Sequence, residues 1–406
     1  MKLRIAPWTL LLILSLSACR PAIPAGLLPA PTNPSLSPPA SSAPTAISET
    51  PPTLPTATPP AEPHPAAQLP PLALGTPPAV PPAPTSAPPP SITARLYPGP
   101  FYEQVFSIPV GEKGVSYQGL DQPGMQITGP NALAALSDGS FVIADPSGNR
   151  LLHYSPSGER LGAIDLSALD ILNVSDLVTD SRDLYVLEIS LNLAPERYRV
   201  HRLSLDGRLQ ASYDIPAGLH LENGLSGIAV DGENRLLLEV EGGGRVYPLA
   251  GPDGGYRPVS RGGYRYCGWQ YLVEYPGSWA IPRLYADGVA VETRLTQVLG
   301  GLRFLYAWSD CSFYMLREDV VGDQPAIRVD QTVHFLSAAG QQVAVARYPL
   351  DESLYTVARN LTVGPDGRIY ALLPRRETLD VVRLVFYKTL PPLVPGAAAP
   401  LVVSVP

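Results

Sequence analysis

Few side chains in this sequence are spaced for catalysis. No Gly-x-Ser-x-Gly elbow occurs, and no serine, histidine and aspartate are placed to suggest a triad. Glycine-rich phosphate loops and paired metalloprotease histidines are absent too. The histidines beyond the N-terminal segments, His153, His201, His220 and His334, are scattered. His153, His201 and His334 fall in or beside strand-like segments, where the ordinary role is structural. Asp145, Asp180, Glu188 and Asp231 stand near the ends of apolar runs. Carboxylates there suit a hard divalent cation, and equally suit capping the backbone N–H groups of turns. No catalytic set is identified, and no cofactor is expected beyond that possible divalent cation.

Aromatic residues are concentrated differently. Trp269, Trp279 and Trp308 lie close together, and Tyr264, Tyr266, Tyr271, Tyr275 and Tyr306 crowd the same stretch. Exposed, such rings stack on sugars or anchor a protein partner; buried, they fill gaps between packed sheets. The expected contact surface is Tyr264, Tyr266, Trp269, Tyr271, Tyr275, Trp279 and Trp308. Cys267 and Cys311 are the thiols of this region. Cys311 follows Asp310 where comparable turns carry glycine, an odd place for a cysteine without a partner. A Cys267–Cys311 disulfide is expected if the compartment is oxidising.

The N-terminus bears on that compartment. Lys2 and Arg4 precede an apolar run from Trp8 to Leu16, too short to cross a hydrocarbon core of about 30 Å and of the length of a secretory signal. It ends Leu16-Ser17-Ala18-Cys19, which resembles the lipobox of bacterial lipoproteins. The resemblance implies a signal peptide over 1–18 and lipidation of Cys19, with more than one acyl chain for stable anchoring. The expected location is extracytoplasmic, on the cell surface or periplasmic side, with the membrane as a partner through the lipid.

Residues 19–92 read as a lipid-anchored stalk. The block 20–92 holds 25 of the chain's 49 prolines, no aromatic residue, and only Arg20, Glu49 and Glu62 as charges. Such a composition cannot offset its ordering entropy by burial, and proline favours extended, solvated conformations. At about 3.1 Å per residue its reach has an upper limit of roughly 200 Å. The net charge of the whole chain is −7 and no basic cluster appears, so nucleic acid is a poor partner.

The elements that must position any site lie in 93–390, ahead of a Pro/Ala-rich tail at 391–406. Asn131 to Leu136 reads as a strand, Asp138-Gly139 as a hairpin turn, Phe141 to Asp145 as a strand buried on both sides, and Arg150 to Tyr154 and Leu161 to Leu166 as two more. The plan returns from 175, from 227, from 302 and at Leu361 to Tyr387. Turns between first and second strands fall near 138, 182, 231, 310 and 366, and the long interval between 231 and 310 holds a strand pair around Asp287-Gly288.

Segments such as Ala135 to Asp145 with Asn149-Arg150 resemble NHL repeats, each one blade of a β-propeller. The resemblance implies an all-β propeller, since a lone blade cannot bury both faces. Six blades are expected, with five plus an insertion as the alternative. The last copy lacks a fourth strand, and the strand-like Phe101 to Val110 is expected to complete it, leaving no open edge. Propellers of this kind are most often platforms for protein or glycan partners, which is the leading functional expectation. A metal-dependent, lactonase-like hydrolase with a cation on the axis, ligands Asp145, Asp180, Glu188 and Asp231, is the enzymatic alternative. A structural envelope component is a third.

Overall fold

The computed structural model describes residues 94–95, 99–191, 195–219, 224–240, 245–251, 255, 262–274, 283–291, 298–322 and 328–390. Cys19, the signal and stalk segments, the tail 391–406, His220, Tyr275 and Trp279 lie outside the described residues.

Strand formation follows the alternation of apolar runs and tight turns. Blade 1 contains β2 (Ala132–Ala135), β3 (Phe141–Asp145), β4 (Arg150–Tyr154) and β5 (Arg160–Asp165). Gly139, at φ +83, makes its first turn, a conformation that costs glycine nothing. Blade 2 contains β6 (Val174–Thr179), β7 (Asp183–Ser190), β8 (Arg197–Ser204) and β9 (Leu209–Asp214); blade 3 contains β10 (Leu225–Val230), β11 (Leu236–Val240) and β12 (Arg245–Ala250). Blade 4 contains β13 (Tyr264–Tyr266), β14 (Trp269–Glu274), β15 (Arg283–Ala286) and β16 (Val289–Ala290), so the strand pair around Asp287-Gly288 is its outer half. Blade 5 contains β17 (Val298–Ala307), β18 (Phe313–Gly322), β19 (Arg328–Leu336) and β20 (Gln342–Arg347).

Blade 6 closes the ring. Its order is β1 (Tyr102–Pro109), β23 (Thr378–Leu384), β22 (Ile369–Pro374) and β21 (Leu361–Val363). The first described strand pairs antiparallel with the last described one, from Tyr102 opposite Leu384 to Pro109 opposite Thr378. The fold is therefore an all-β propeller of six blades, not five with an insertion. Among the described residues no helix is long and apolar enough to cross a membrane.

Burial within a blade depends on distance from the axis. Strands β3, β7 and β11 are buried along their whole length, because a second strand has a neighbouring blade on each face. The outermost β5 and β9 are largely exposed. The core consequently lies between blades: Leu133, Ile143 and Leu152 of blade 1 pack against Ile108, Leu372 and Val381 of blade 6. Each such fully buried aliphatic side chain contributes roughly 1.5–3 kcal/mol relative to an exposed one. The first strands touch one another around the ring, β2 with β6 and β21, β6 with β10, and β17 with β21, and so surround the axis.

Candidate functional site

The aromatic stretch is core, not surface. Tyr264, Tyr266, Tyr271 and Trp308 are all buried, and Trp269, partly buried, packs against the same cluster. Phe304 stacks on Tyr271 at 4.5 Å between centroids, with Tyr264 at 4.9 Å. Trp308 meets Tyr314 and Phe335 edge-on. These rings fill the wedges between blades 3, 4, 5 and 6, which corrects the expectation that they form a contact surface; Tyr275 and Trp279 are not among the described residues.

Cys267 and Cys311 are joined by a disulfide, with Cα atoms 5.7 Å apart. Each occupies the first turn of its blade, β13–β14 and β17–β18, and each has positive φ, +48 and +59. Non-glycine residues adopt that conformation at a cost. The bond ties two neighbouring turns that glycine would otherwise relax.

The carboxylates expected to ligate a metal are dispersed and individually engaged. Asp145, at the end of β3, pairs with Arg150 at 2.9 Å and accepts from the Ser116 N–H; burial pushes its carboxyl up against the pull of Arg150. Asp180 caps the turn before β7 through the Arg182 and Asp183 N–H groups and accepts from the Tyr185 hydroxyl. Asp231 caps the turn after β10 and pairs with Arg235. Glu188 lies buried beside His201, 3.0 Å from Nε2, and accepts from the Leu172 N–H. Burial opposes its ionisation, but those hydrogen bonds hold it below the usual glutamate value. Among the described residues no group of three or more His, Cys, Asp or Glu is arranged to hold a metal ion.

The described histidines have protein partners: His153 with Ser140 (2.9 Å), His334 with Thr332 (3.0 Å) and Gln342 (2.8 Å), and His201 with Ser212 (2.9 Å) besides Glu188. Burial lowers His334 to about 4. The line Ser212–His201–Glu188 has the connectivity of a nucleophile, base and orienting acid. Ser212 sits in the middle of the outer strand β9, however, with no helix N-terminus or tight turn beside it to supply paired N–H donors to an oxyanion.

The polar centre lies on the axis, among residues the sequence reading had not grouped. Arg359, just before β21, reaches Asp176 of β6 with Nε at 2.8 Å, and Glu239 of β11 with Nη2. Asp176 also accepts from the N–H groups of Leu177 and Ile228, both at 2.8 Å. The Tyr264 hydroxyl donates to Glu239 at 2.5 Å. Room for the guanidinium comes from Gly227, opposite Glu239 in the ladder: a Cβ there would lie 1.6 Å from Arg359 Nη2. Burial works against the charge on Arg359, but the two carboxylates override it and raise its pKa. Burial pushes Asp176 upward, against the pull of Arg359 and of the backbone donors. The Tyr264 hydroxyl is raised well above its ordinary value by burial and then by Glu239.

Arg303, on β17, belongs to the same centre and differs from Arg359. Its Nε is buried without a hydrogen-bond partner, and no ion pair involves it among the described residues. Burial, and then the charge of Arg359, hold its guanidinium below the ordinary arginine value. The sequence signal for this centre was faint: a single charge interrupting an apolar strand, as in Leu236-Leu237-Leu238-Glu239-Val240 or Leu302-Arg303-Phe304-Leu305.

A divalent cation on the axis would need several oxygen donors free of other cations. Asp176 and Glu239 do converge there, but both are committed to Arg359 and Arg303 adds a second positive charge. The residues present do not fit such an ion.

No family model matches the chain, and no curated protein matches it. Solved structures do. A gluconolactonase from Xanthomonas campestris is 16% identical, with a TM-score of 0.39, over 70% of this chain and 98% of that one. The PQQ-bound aldose sugar dehydrogenase of Streptomyces coelicolor is 13% identical, with a TM-score of 0.40, over 67% and 98%. Virginiamycin B lyase from Staphylococcus aureus is 13% identical, with a TM-score of 0.39, over 70% and 98%. Likeness at this level concerns fold and carries no assignment of activity.

Proposed function

We propose that this chain is an extracytoplasmic, lipid-anchored propeller of NHL-like blades whose working site is the axis, where it binds a small molecule without a resident divalent cation. The observation that carries this reading is the Arg359 guanidinium held between Asp176 and Glu239, which engages both carboxylates that converge there. Burial of Tyr264, Tyr266, Tyr271 and Trp308 removes support from a protein or glycan platform built on those rings.

The competing reading, a metal-dependent lactonase-like hydrolase, is favoured by the convergence of two carboxylates on the same axis. Metal content of the purified full-length protein, with its melting temperature with and without EDTA, decides between them. The expected result is no stoichiometric divalent cation and an unchanged melting temperature. One tightly held cation, with a clear loss of stability on chelation, overturns the binding reading in favour of the hydrolase.

Anchoring has its own test. Cys19→Ser is expected to move the protein from the membrane fraction to the soluble fraction, because one acyl-bearing residue supplies the membrane affinity. Continued sedimentation of the variant with membranes would refute lipid attachment at Cys19.

A further inference from the structure

We infer that the axial site is built for a small oxyanion, a carboxylate or phosphate group, received by Arg303. The inference rests on the axial-site reading above and names its ligand class.

Guanidinium carries five N–H donors in a planar fork and no acceptor. Buried charges are normally paired and buried donors normally satisfied, because an uncompensated one retains its desolvation cost. Arg359 obeys this rule through two carboxylates and the Ile228 carbonyl. Arg303, on β17, the first strand that touches β21, does not: its Nε is orphaned, and it forms no ion pair among the described residues. Its Nε is buried, while the side chain as a whole keeps some accessible surface. The missing partner is a small acceptor presenting oxygens in the plane of the fork, which a carboxylate or phosphate group supplies in bidentate form.

Local pairing, and not net charge, leaves Arg303 open to that partner. The two guanidinium groups and the two carboxylates of the centre cancel formally, but Glu239 already accepts from Arg359 and Tyr264, and Asp176 from Arg359 and two backbone N–H groups. A second orphan lies at the same end of the first strands. Asn131, just before β2, donates its Nδ2 to the Val174 carbonyl at 2.7 Å, and its own carbonyl accepts from the Arg359 N–H. Its buried Oδ1 has no partner. An acceptor beside the network adds a place for a hydroxyl donor on the same ligand.

The test is a thermal-unfolding titration of the full-length protein in detergent, with inorganic phosphate in one arm and glycolate in another, against chloride at matched ionic strength. Phosphate and glycolate separate the two oxyanion sources. At least one is expected to raise the unfolding midpoint by roughly 5 °C near a hundredfold excess over its dissociation constant. Arg303→Met is expected to abolish that shift while unfolding, without anion, at the wild-type temperature or above it, since it removes a buried guanidinium that lacks a direct partner. Arg303→Lys keeps the charge but loses the fork, and is expected to respond more weakly. No shift with either anion, or an equal shift in Arg303→Met, overturns the inference. A bound cation removed by EDTA would instead overturn the reading beneath it.

Discussion

Arg359→Met is expected to destabilise the propeller by about 3–5 kcal/mol at neutral pH, the cost of breaking a buried ion pair from one side. The variant leaves Asp176 and Glu239 buried together without their shared cation, while the Tyr264 hydroxyl and two backbone N–H groups still hold them in place. Burial already raises the Asp176 pKa with Arg359 present, and removing the guanidinium drives it further up. A carboxyl whose folded-state pKa lies above its unfolded value contributes stability below the unfolded pKa and loses it as pH rises through the folded one. The deficit of the variant should therefore shrink on acidification, opposite to the usual acid lability of a paired carboxylate. Urea unfolding of wild type and variant across pH 5–8 reads both effects through the midpoint. Adding Asp176→Asn and Glu239→Gln should restore most of the loss. A variant within about 1 kcal/mol of wild type would mean that the axial network is not integral to the fold. Gly227→Ala offers an independent route to the same result, because its Cβ would occupy the place of the Arg359 guanidinium.

Removing the disulfide is the second large effect. Cys267 and Cys311 are separated by 44 positions, and closing a loop of that length restricts the unfolded chain by about 4 kcal/mol in the chain-entropy model. Cys267→Ala with Cys311→Ala is expected to lose about that much, and reductant should lower the wild-type midpoint but leave the double variant unmoved. Part of the loss would be recovered by Cys311→Gly in place of Ala, because φ at this position is +59 and glycine accepts that conformation without penalty. Mass spectrometry of a non-reduced digest should show one peptide pair joining the two cysteines. Free thiols at both would remove the basis of the prediction.

Much of the architecture was legible in the order of residues. Asp138-Gly139 and Asp366-Gly367 mark turns because their backbone requirements are local, and Phe141 to Asp145 reads as a doubly buried strand because no polar residue interrupts it before its end. Closure by the segment 102–109 followed from counting: the last copy had three strands and the chain had one spare. The disulfide was suggested by Cys311 standing in a glycine position. These features depend on a residue and its near neighbours, or on the arithmetic of a repeat.

The site did not follow in that way. Aromatic residues from 264 to 308 suggested a surface because sequence cannot distinguish an exposed ring from one wedged between blades, and in a propeller both faces of a blade are covered. Asp145, Asp180, Glu188 and Asp231 shared a position near strand ends, yet each is engaged by a separate set of protein partners. Asp176, Glu239, Arg303 and Arg359 come from different blades. They meet because ring closure brings the inner strands of different blades, and the segment before β21, together around the axis, and because Gly227 leaves space where any other residue would place a Cβ. Local propensity and repeat spacing determined the blades. The closed ring alone decided which charges face each other, and that one guanidinium among them is left without a partner.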